Sequence, residues 1–411
     1  MNRQRILQPV AFCMTLVVMA FFGLATGQVI AQSPARSDSA EAWILDSKLQ
    51  QQIDRVVAEE MEQQDLVGVA IGVIEGGQVV YVQGYGWADR EANVVLDVTT
   101  VMNWASNSKP IGAVIAAQLV REGLLDLDVD IRTYLPDFPD KGHVITTRQL
   151  LCHQSGMPHY SNGKIVRGPP LAARFSNQVE QQGGPARSNA AEAIEQDLPD
   201  WDPAIAVARF IHSPLIHPPG EVEDYSSYAY VLLSAVLQAA GQESWHRQVA
   251  RRIKATGQLK SLQADIPLQD PPIVEQSLWS RGYRRLTSGE VRRVPDIAHY
   301  WKHAAGGYKS NALDFSRWAA ALLGNELMDA ESKRVFWQPQ VMAGGKVGAY
   351  GLGFAVDGTE RNLRVAHGGS QDETKTRMVL YPEQGRGVVV MSNCNHADPG
   401  KISTAILGVL R

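Results

Sequence analysis

Ser106-Asn107-Ser108-Lys109, running into Pro110-Ile111-Gly112-Ala113-Val114-Ile115-Ala116-Ala117, sets a hydroxyl and an amine three residues apart at the mouth of an apolar run. On a helix, positions three apart share a face, so the Ser106 hydroxyl and the Lys109 amine point into the same space. A serine is a useful nucleophile only when a base takes its proton, and lysine can do so only where burial or cationic neighbours lower its pKa. Pro110 marks the helix start, because proline is tolerated in a first turn and costs about 3 kcal/mol deeper in. Ser106 is therefore expected at the helix N-terminus, where the macrodipole and free N–H groups favour negative charge on its oxygen. Residues 111–120 are apolar nearly all round, which predicts a buried helix that draws Lys109 inward. The plain alternative is an N-cap serine with a surface lysine beyond it. The same spacing recurs at Ser161-Asn162-Gly163-Lys164, but the glycine and the following Gly168-Pro169-Pro170 make that copy a turn.

Outward from this stretch, 411 residues with 45% hydrophobic content are enough for a large core in one two-lobed domain or two small ones. A formal net charge of −4 argues against a nucleic-acid partner, and Arg251-Arg252 and Arg292-Arg293 read as solvated faces. Arg3 and Arg5 precede an apolar run over residues 10–25. That pattern predicts a signal peptide over 1–31 and a periplasmic or secreted protein with no membrane span after cleavage; an uncleaved anchor is the alternative. Residues 32–42 read as a polar linker, and 43–411 as the functional domain. Cys152 and Cys394 remain after cleavage, and they can pair in an oxidising compartment only if the fold brings them together. Cys152 beside His153 is a second candidate nucleophile, against the reading of a buried free thiol.

Residues 43–62 have helical spacing. Residues 67–74 and 78–84, around Glu75-Gly76-Gly77, read as a β-hairpin. Segments 363–366, 376–381 and 387–392 read as further strands, and 403–410 as a closing helix. Strands at both ends with helices between predict an α+β fold whose antiparallel sheet is built from N- and C-terminal segments, with flanking helices and an inserted helical lobe. Residues 163–202 read as a long surface insertion.

Other chemistries find little support. Gly368-Gly369-Ser370-Gln371-Asp372 lacks the last glycine of a nucleophile elbow, and no His-Glu-x-x-His, phosphate loop or dinucleotide fingerprint is present. His143, His153 and His159 are close in sequence but lack further ligands at metal spacing.

The stretch 101–109, ending Ala105-Ser106-Asn107-Ser108-Lys109, resembles the penicillin-recognising serine hydrolases: class C β-lactamases, D,D-carboxypeptidases, D-aminopeptidases and related esterases. Gly84-Tyr85-Gly86-Trp87, Leu150-Leu151-Cys152-His153-Gln154-Ser155-Gly156, Ala305-Gly306-Gly307 and Leu352-Gly353-Phe354 are similar to that family's landmarks, in its order. The resemblance implies a β-lactamase/transpeptidase-like fold with Ser106 as nucleophile, Lys109 as base, and no metal or organic cofactor. Tyr225, in Asp224-Tyr225-Ser226-Ser227, takes the place of the catalytic tyrosine. A nearby lysine is expected to lower its pKa so that it relays protons. Ser227 stands where the family usually has asparagine, with a shorter reach toward substrate. His367-Gly368-Gly369-Ser370 resembles the substrate-binding strand edge. There the Ser370 N–H joins the Ser106 N–H as an oxyanion hole, the glycines admit substrate against the backbone, and His367 is expected to bind a carboxylate only in acid. The resemblance implies an exported hydrolase of a small-molecule or short-peptide ester or amide. D,D-carboxypeptidase, D-aminopeptidase or β-lactamase activity is the alternative, and a cell-wall binding or sensor module the non-enzymatic one.

Overall fold

Helix α1 (Ser47–Gln64) begins where Asp46 accepts hydrogen bonds from the Lys48 and Leu49 N–H groups, and buries Ile53, Val57 and Met61 on one side. Strands β1 (Gly68–Glu75) and β2 (Gln78–Asp89) form the expected hairpin. Its turn rests on Gly76 and Gly77, both at positive φ, where a side chain would be strained. The short β3 (Val94–Val95) pairs with the far side of β2. The chain then leaves the sheet for the helical lobe, which includes α2 (Lys109–Arg121), α3 (Ser227–Gly241) and α4 (Ala312–Leu323). It returns through β4 (Ala355–Asp357), β5 (Arg364–Gln371), β6 (Thr374–Tyr381) and β7 (Arg386–Ser392), followed by α5 (Pro399–Val409). This computed structural model describes residues 44–171, 201–266 and 279–411. The segments expected to be a signal peptide and a linker, and most of the insertion expected over 163–202, lie outside the described residues.

The seven strands are ordered β3-β2-β1-β7-β6-β5-β4, every neighbour antiparallel. At the centre β1 pairs with β7, Val69 opposite Ser392 and Val73 opposite Val388. The sheet is thus assembled from both ends of the domain, as the sequence predicts. Side chains alternate across a strand, and here both faces are covered. Val69, Ile71 and Val73 join Val388 and Val390 against α1 and against Ile402 and Ile406 of α5. Ala70 and Ile74 join Met378, Val389 and Met391 against Phe315 and Trp318 of α4 and the lobe beyond. Burial on both faces explains why residues 67–74 read as an almost unbroken apolar run.

Cys152 and Cys394 are free, buried thiols. Burial pushes them up to about 12 and about 11, so neither is poised as a nucleophile. Among the described residues no helix is long and apolar enough to cross a membrane.

Candidate active site

Ser106 lies in a 3₁₀ turn, Ala105–Ser108, that leads directly into α2. It precedes the α-helix instead of opening it. Ala105 has φ +49°, a left-handed conformation that breaks regular helix and costs alanine about 1–2 kcal/mol. Pro110 stands in the first turn, as expected. The turn is tied to the sheet: Asn107 Nδ2 donates to Thr376 Oγ1 at 2.8 Å, and Thr376 Oγ1 donates to the Trp104 carbonyl at 2.8 Å. Trp104 in turn packs on Phe315, ring centroids 4.6 Å apart, and donates to Ser310 Oγ.

Every residue of α2 from Lys109 to Leu119 is buried, and Lys109 itself has no exposed surface. Its Nζ is 3.2 Å from Ser106 Oγ, 3.2 Å from Ser227 Oγ and 2.8 Å from the Ala305 carbonyl. Burial, reinforced by the Lys302 charge, pushes Lys109 well below the usual lysine value. The surface-lysine alternative is therefore set aside, and Ala305-Gly306-Gly307 gains a role as the backbone acceptor that holds the amine.

Tyr225 is placed with this pair. Its ring lies 4.7 Å from Lys109 Nζ, and its hydroxyl shares hydrogen bonds with Ser106 and Ser227. Its pKa is raised, not lowered as the sequence suggested: burial dominates, and the neighbouring Tyr350 adds to it. Tyr225 therefore keeps its proton. Ser227, at the start of α3, is 2% exposed, and its hydroxyl is engaged by Lys109, Tyr160 and Tyr225, so it braces the amine more than it reaches outward.

The fourth wall is β5, which runs on through His367-Gly368-Gly369-Ser370. His367 is buried, and its Nδ1 lies 2.7 Å from the Gly368 carbonyl. A carbonyl only accepts, so Nδ1 carries the proton and Nε2, which has no partner, is an acceptor. Burial and the Lys109 and Arg377 charges push His367 down to about 3, which contradicts the expectation of a cation at mildly acid pH. The two glycines also part company. A Cβ on Gly369 would strike the Trp104 carbonyl and the Thr376 hydroxyl, so this glycine admits the turn that carries Ser106, not substrate; on Gly368 nothing lies nearer than 3.8 Å. Ser370 is exposed, and its Oγ accepts from Lys375 Nζ at 2.7 Å.

Ser106, Tyr225, Ser227, His367, Gly368, Gly369 and Ser370 all line one cleft of about 620 Å³. Tyr160, Lys302, Tyr350, Lys375 and Arg377, which sequence reasoning missed, line it too, as does His159, which it weighed only as a metal ligand. None of these follows a spacing rule; they converge from separate loops and strands. The cleft carries three cations, Lys302, Lys375 and Arg377, against one carboxylate, Asp398. Arg377 Nε is buried without a hydrogen-bond partner. The second Ser-x-x-Lys copy is a surface turn, and among the described residues no group of histidines, cysteines and carboxylates is arranged to hold a metal.

Residues 53–410 match the Beta-lactamase family. The chain belongs to that family. Among its relatives, the mitochondrial serine beta-lactamase-like protein LACTB of Mus musculus is 25% identical over 422 residues, covering 82% of this chain and 76% of LACTB. Protein flp of Staphylococcus aureus strain N315 is 23% identical, covering 84% of this chain and 63% of flp. The fold is shared with the octameric penicillin-binding protein homologue of Pyrococcus abyssi (TM-score 0.68, 22% identity, 88% of this chain and 77% of that one). It is likewise shared with the D-amino acid amidase of Ochrobactrum anthropi SV3 (TM-score 0.68, 19% identity, 89% and 99%). The fold is thus β-lactamase/transpeptidase-like, as the resemblance implied.

Proposed function

We propose that this protein is an exported serine hydrolase that cleaves an ester or amide through an acyl-Ser106 intermediate. The observation that carries the reading is the 3.2 Å contact between Ser106 Oγ and a fully buried Lys109 amine. A neutral amine has two hydrogens and one lone pair. The Ala305 carbonyl and Ser227 Oγ accommodate the hydrogens, which leaves the lone pair for the Ser106 proton. As that proton moves to Lys109, Oγ bonds to the substrate carbonyl carbon, and the Ser106 and Ser370 N–H groups are the proposed donors to the resulting oxyanion. Tyr225, kept protonated by burial, gives its proton to the leaving group and recovers one from Lys109. Water then attacks the acyl carbon and loses a proton to Lys109; the bond from that carbon to Ser106 Oγ breaks as Lys109 returns the proton to Oγ, which frees the acid and restores Ser106. The partner is a small molecule or short peptide, and no step calls for a cofactor. Export rests on the basic and apolar N-terminal pattern alone.

One observation favours a narrower reading, hydrolysis of an acyl donor bearing a carboxylate, as in a carboxypeptidase: the unpaired Arg377 stands with Lys302 and Lys375 in the cleft. A fluorophosphonate tests the core assignment. It should add mass to the peptide carrying Ser106, and Ser106→Ala should abolish steady-state hydrolysis of p-nitrophenyl acetate. Labelling at Ser161 or Cys152 would overturn the assignment. Labelling of Ser106 without steady-state turnover of any ester or amide would favour a binding or sensor module.

A further inference from the structure

The turn that carries Tyr225 is laced to a second segment, residues 153–162, by five hydrogen bonds. Asp224 N–H donates to the His153 carbonyl at 2.8 Å, and Ser226 Oγ to the Pro158 carbonyl at 2.7 Å. Asn162 Nδ2 donates to Asp224 Oδ2 at 3.3 Å. The remaining two are unusual, because imidazole nitrogens take the place of carbonyls. Ser226 N–H donates to His153 Nδ1 and Ser227 N–H donates to His159 Nδ1, each at 3.1 Å. A backbone N–H can only donate, so both Nδ1 atoms are lone pairs and each neutral ring holds its proton on Nε2. The same rings bracket Tyr225. His153 lies against its face, centroids 4.3 Å apart at 35°, and His159 meets it at 72° and 5.7 Å. His153 also keeps a strained backbone, φ +60°, which persists only where surrounding contacts impose it.

We infer that His153 and His159 are positioning residues: by accepting the N–H groups of Ser226, the N-cap of α3, and of Ser227, its first residue, and by bracketing the Tyr225 ring, they hold Tyr225 and Ser227 against Ser106 and Lys109. The inference rests on the reading of Ser106 as nucleophile and Tyr225 as proton carrier. His153 is buried and stays neutral. His159 is half-buried and lines the cleft, so it is the member that acid can reach. The groups around it are Lys109 and Lys302, which oppose its protonation, Asp224, which favours it, and Tyr160 and Tyr225, which are neutral. Burial and the lysines hold its pKa below the usual value. Once protonated, Nδ1–H would face Ser227 N–H, and the latch would open.

Steady-state hydrolysis of p-nitrophenyl acetate tests this, with urea unfolding as the control for folding. His159→Leu removes the acceptor, and kcat should fall about tenfold or more with KM little changed, since a small displacement of a reacting group is costly. His159→Asn sets an amide oxygen where Nδ1 was, cannot protonate, and should recover most of kcat. Its acid limb of kcat/KM should also flatten from two protons toward the one that belongs to Lys109. That change of slope is something packing alone would not produce, and it decides the matter even if His159→Leu does not fold. Wild-type kcat in a folded His159→Leu, or an unchanged slope in His159→Asn, overturns the inference alone, provided Ser106→Ala is inactive. Turnover by Ser106→Ala overturns both readings.

Discussion

Replacing Lys109 with methionine keeps an unbranched chain in a site from which water is excluded, and it separates activity from stability. The base is lost, so kcat should fall about 10²–10⁴-fold. Stability responds differently, because burial and Lys302 disfavour the charged amine in the folded state. The folded pKa of Lys109 lies below its ordinary 10.5, so between those two values the unfolded chain binds this proton and the folded chain does not. Uptake of a proton on unfolding means that wild-type stability rises with pH across that window, by about 1.4 kcal/mol per pH unit, and is flat on either side. Methionine has no proton to bind. The stability difference, wild type minus variant, should therefore climb with that slope toward about pH 10, all other titrations cancelling. Loss of the partner of the Ala305 carbonyl costs the variant about 1–3 kcal/mol at every pH, which offsets the line without tilting it. Urea unfolding in half-unit pH steps measures the slope. A flat difference across the window would mean that Lys109 is charged in the folded protein, and would refute its role as the base.

Tyr225→Phe keeps the ring between the two histidines and removes the hydroxyl, so kcat should drop about 10²-fold in a variant that still unfolds cooperatively; an unaltered kcat would leave the ring a packing role. Arg377→Gln should raise KM about tenfold or more for a carboxylate-bearing ester and leave a matched neutral ester alone, as expected for a charge-assisted hydrogen bond. Because His367 is neutral down to about 3, KM for the two esters should run in parallel between about pH 6 and 8 in the wild type; divergence there would mean that His367 titrates after all. Gly369→Ala should cost about 1–3 kcal/mol of stability by forcing Trp104 and Thr376 apart, whereas Gly368→Ala should fold normally, a contrast that paired denaturation curves can read.

The parts of the site that follow local rules were legible. Ser106, Lys109 and Pro110 lie within one turn and a half of chain, and the apolar run behind them announces burial without any tertiary information. The central strands declared themselves through apolar density, although the pairing of β1 with β7 rested on the general habit of sheets and on resemblance. What could not be read was anything set by convergence. Arg377 is an ordinary strand residue until Gly368 is known to lie opposite it. Lys302 and Tyr160 come from irregular segments whose course no periodicity fixes. The errors at His367 and Tyr225 share one cause: a residue type suggests an ordinary pKa, and only depth of burial reveals how far the folded protein moves it.

The pairing at the centre of the sheet also sets a clock. Ser392 Oγ donates to the Gly68 carbonyl, 324 positions earlier in the chain. At ribosomal speeds of about 5–20 residues per second, the hairpin of β1 and β2 waits roughly 15–65 s before β7 can reach it. Throughout that interval one edge of β1 is an unpaired template with apolar side chains on both faces. The Ser106 turn waits as well, since the Thr376 hydroxyl that secures it arrives on a neighbouring late strand. A nascent chain of this kind is obliged to remain unfinished while it is being made, open to chaperones and to threading through a pore.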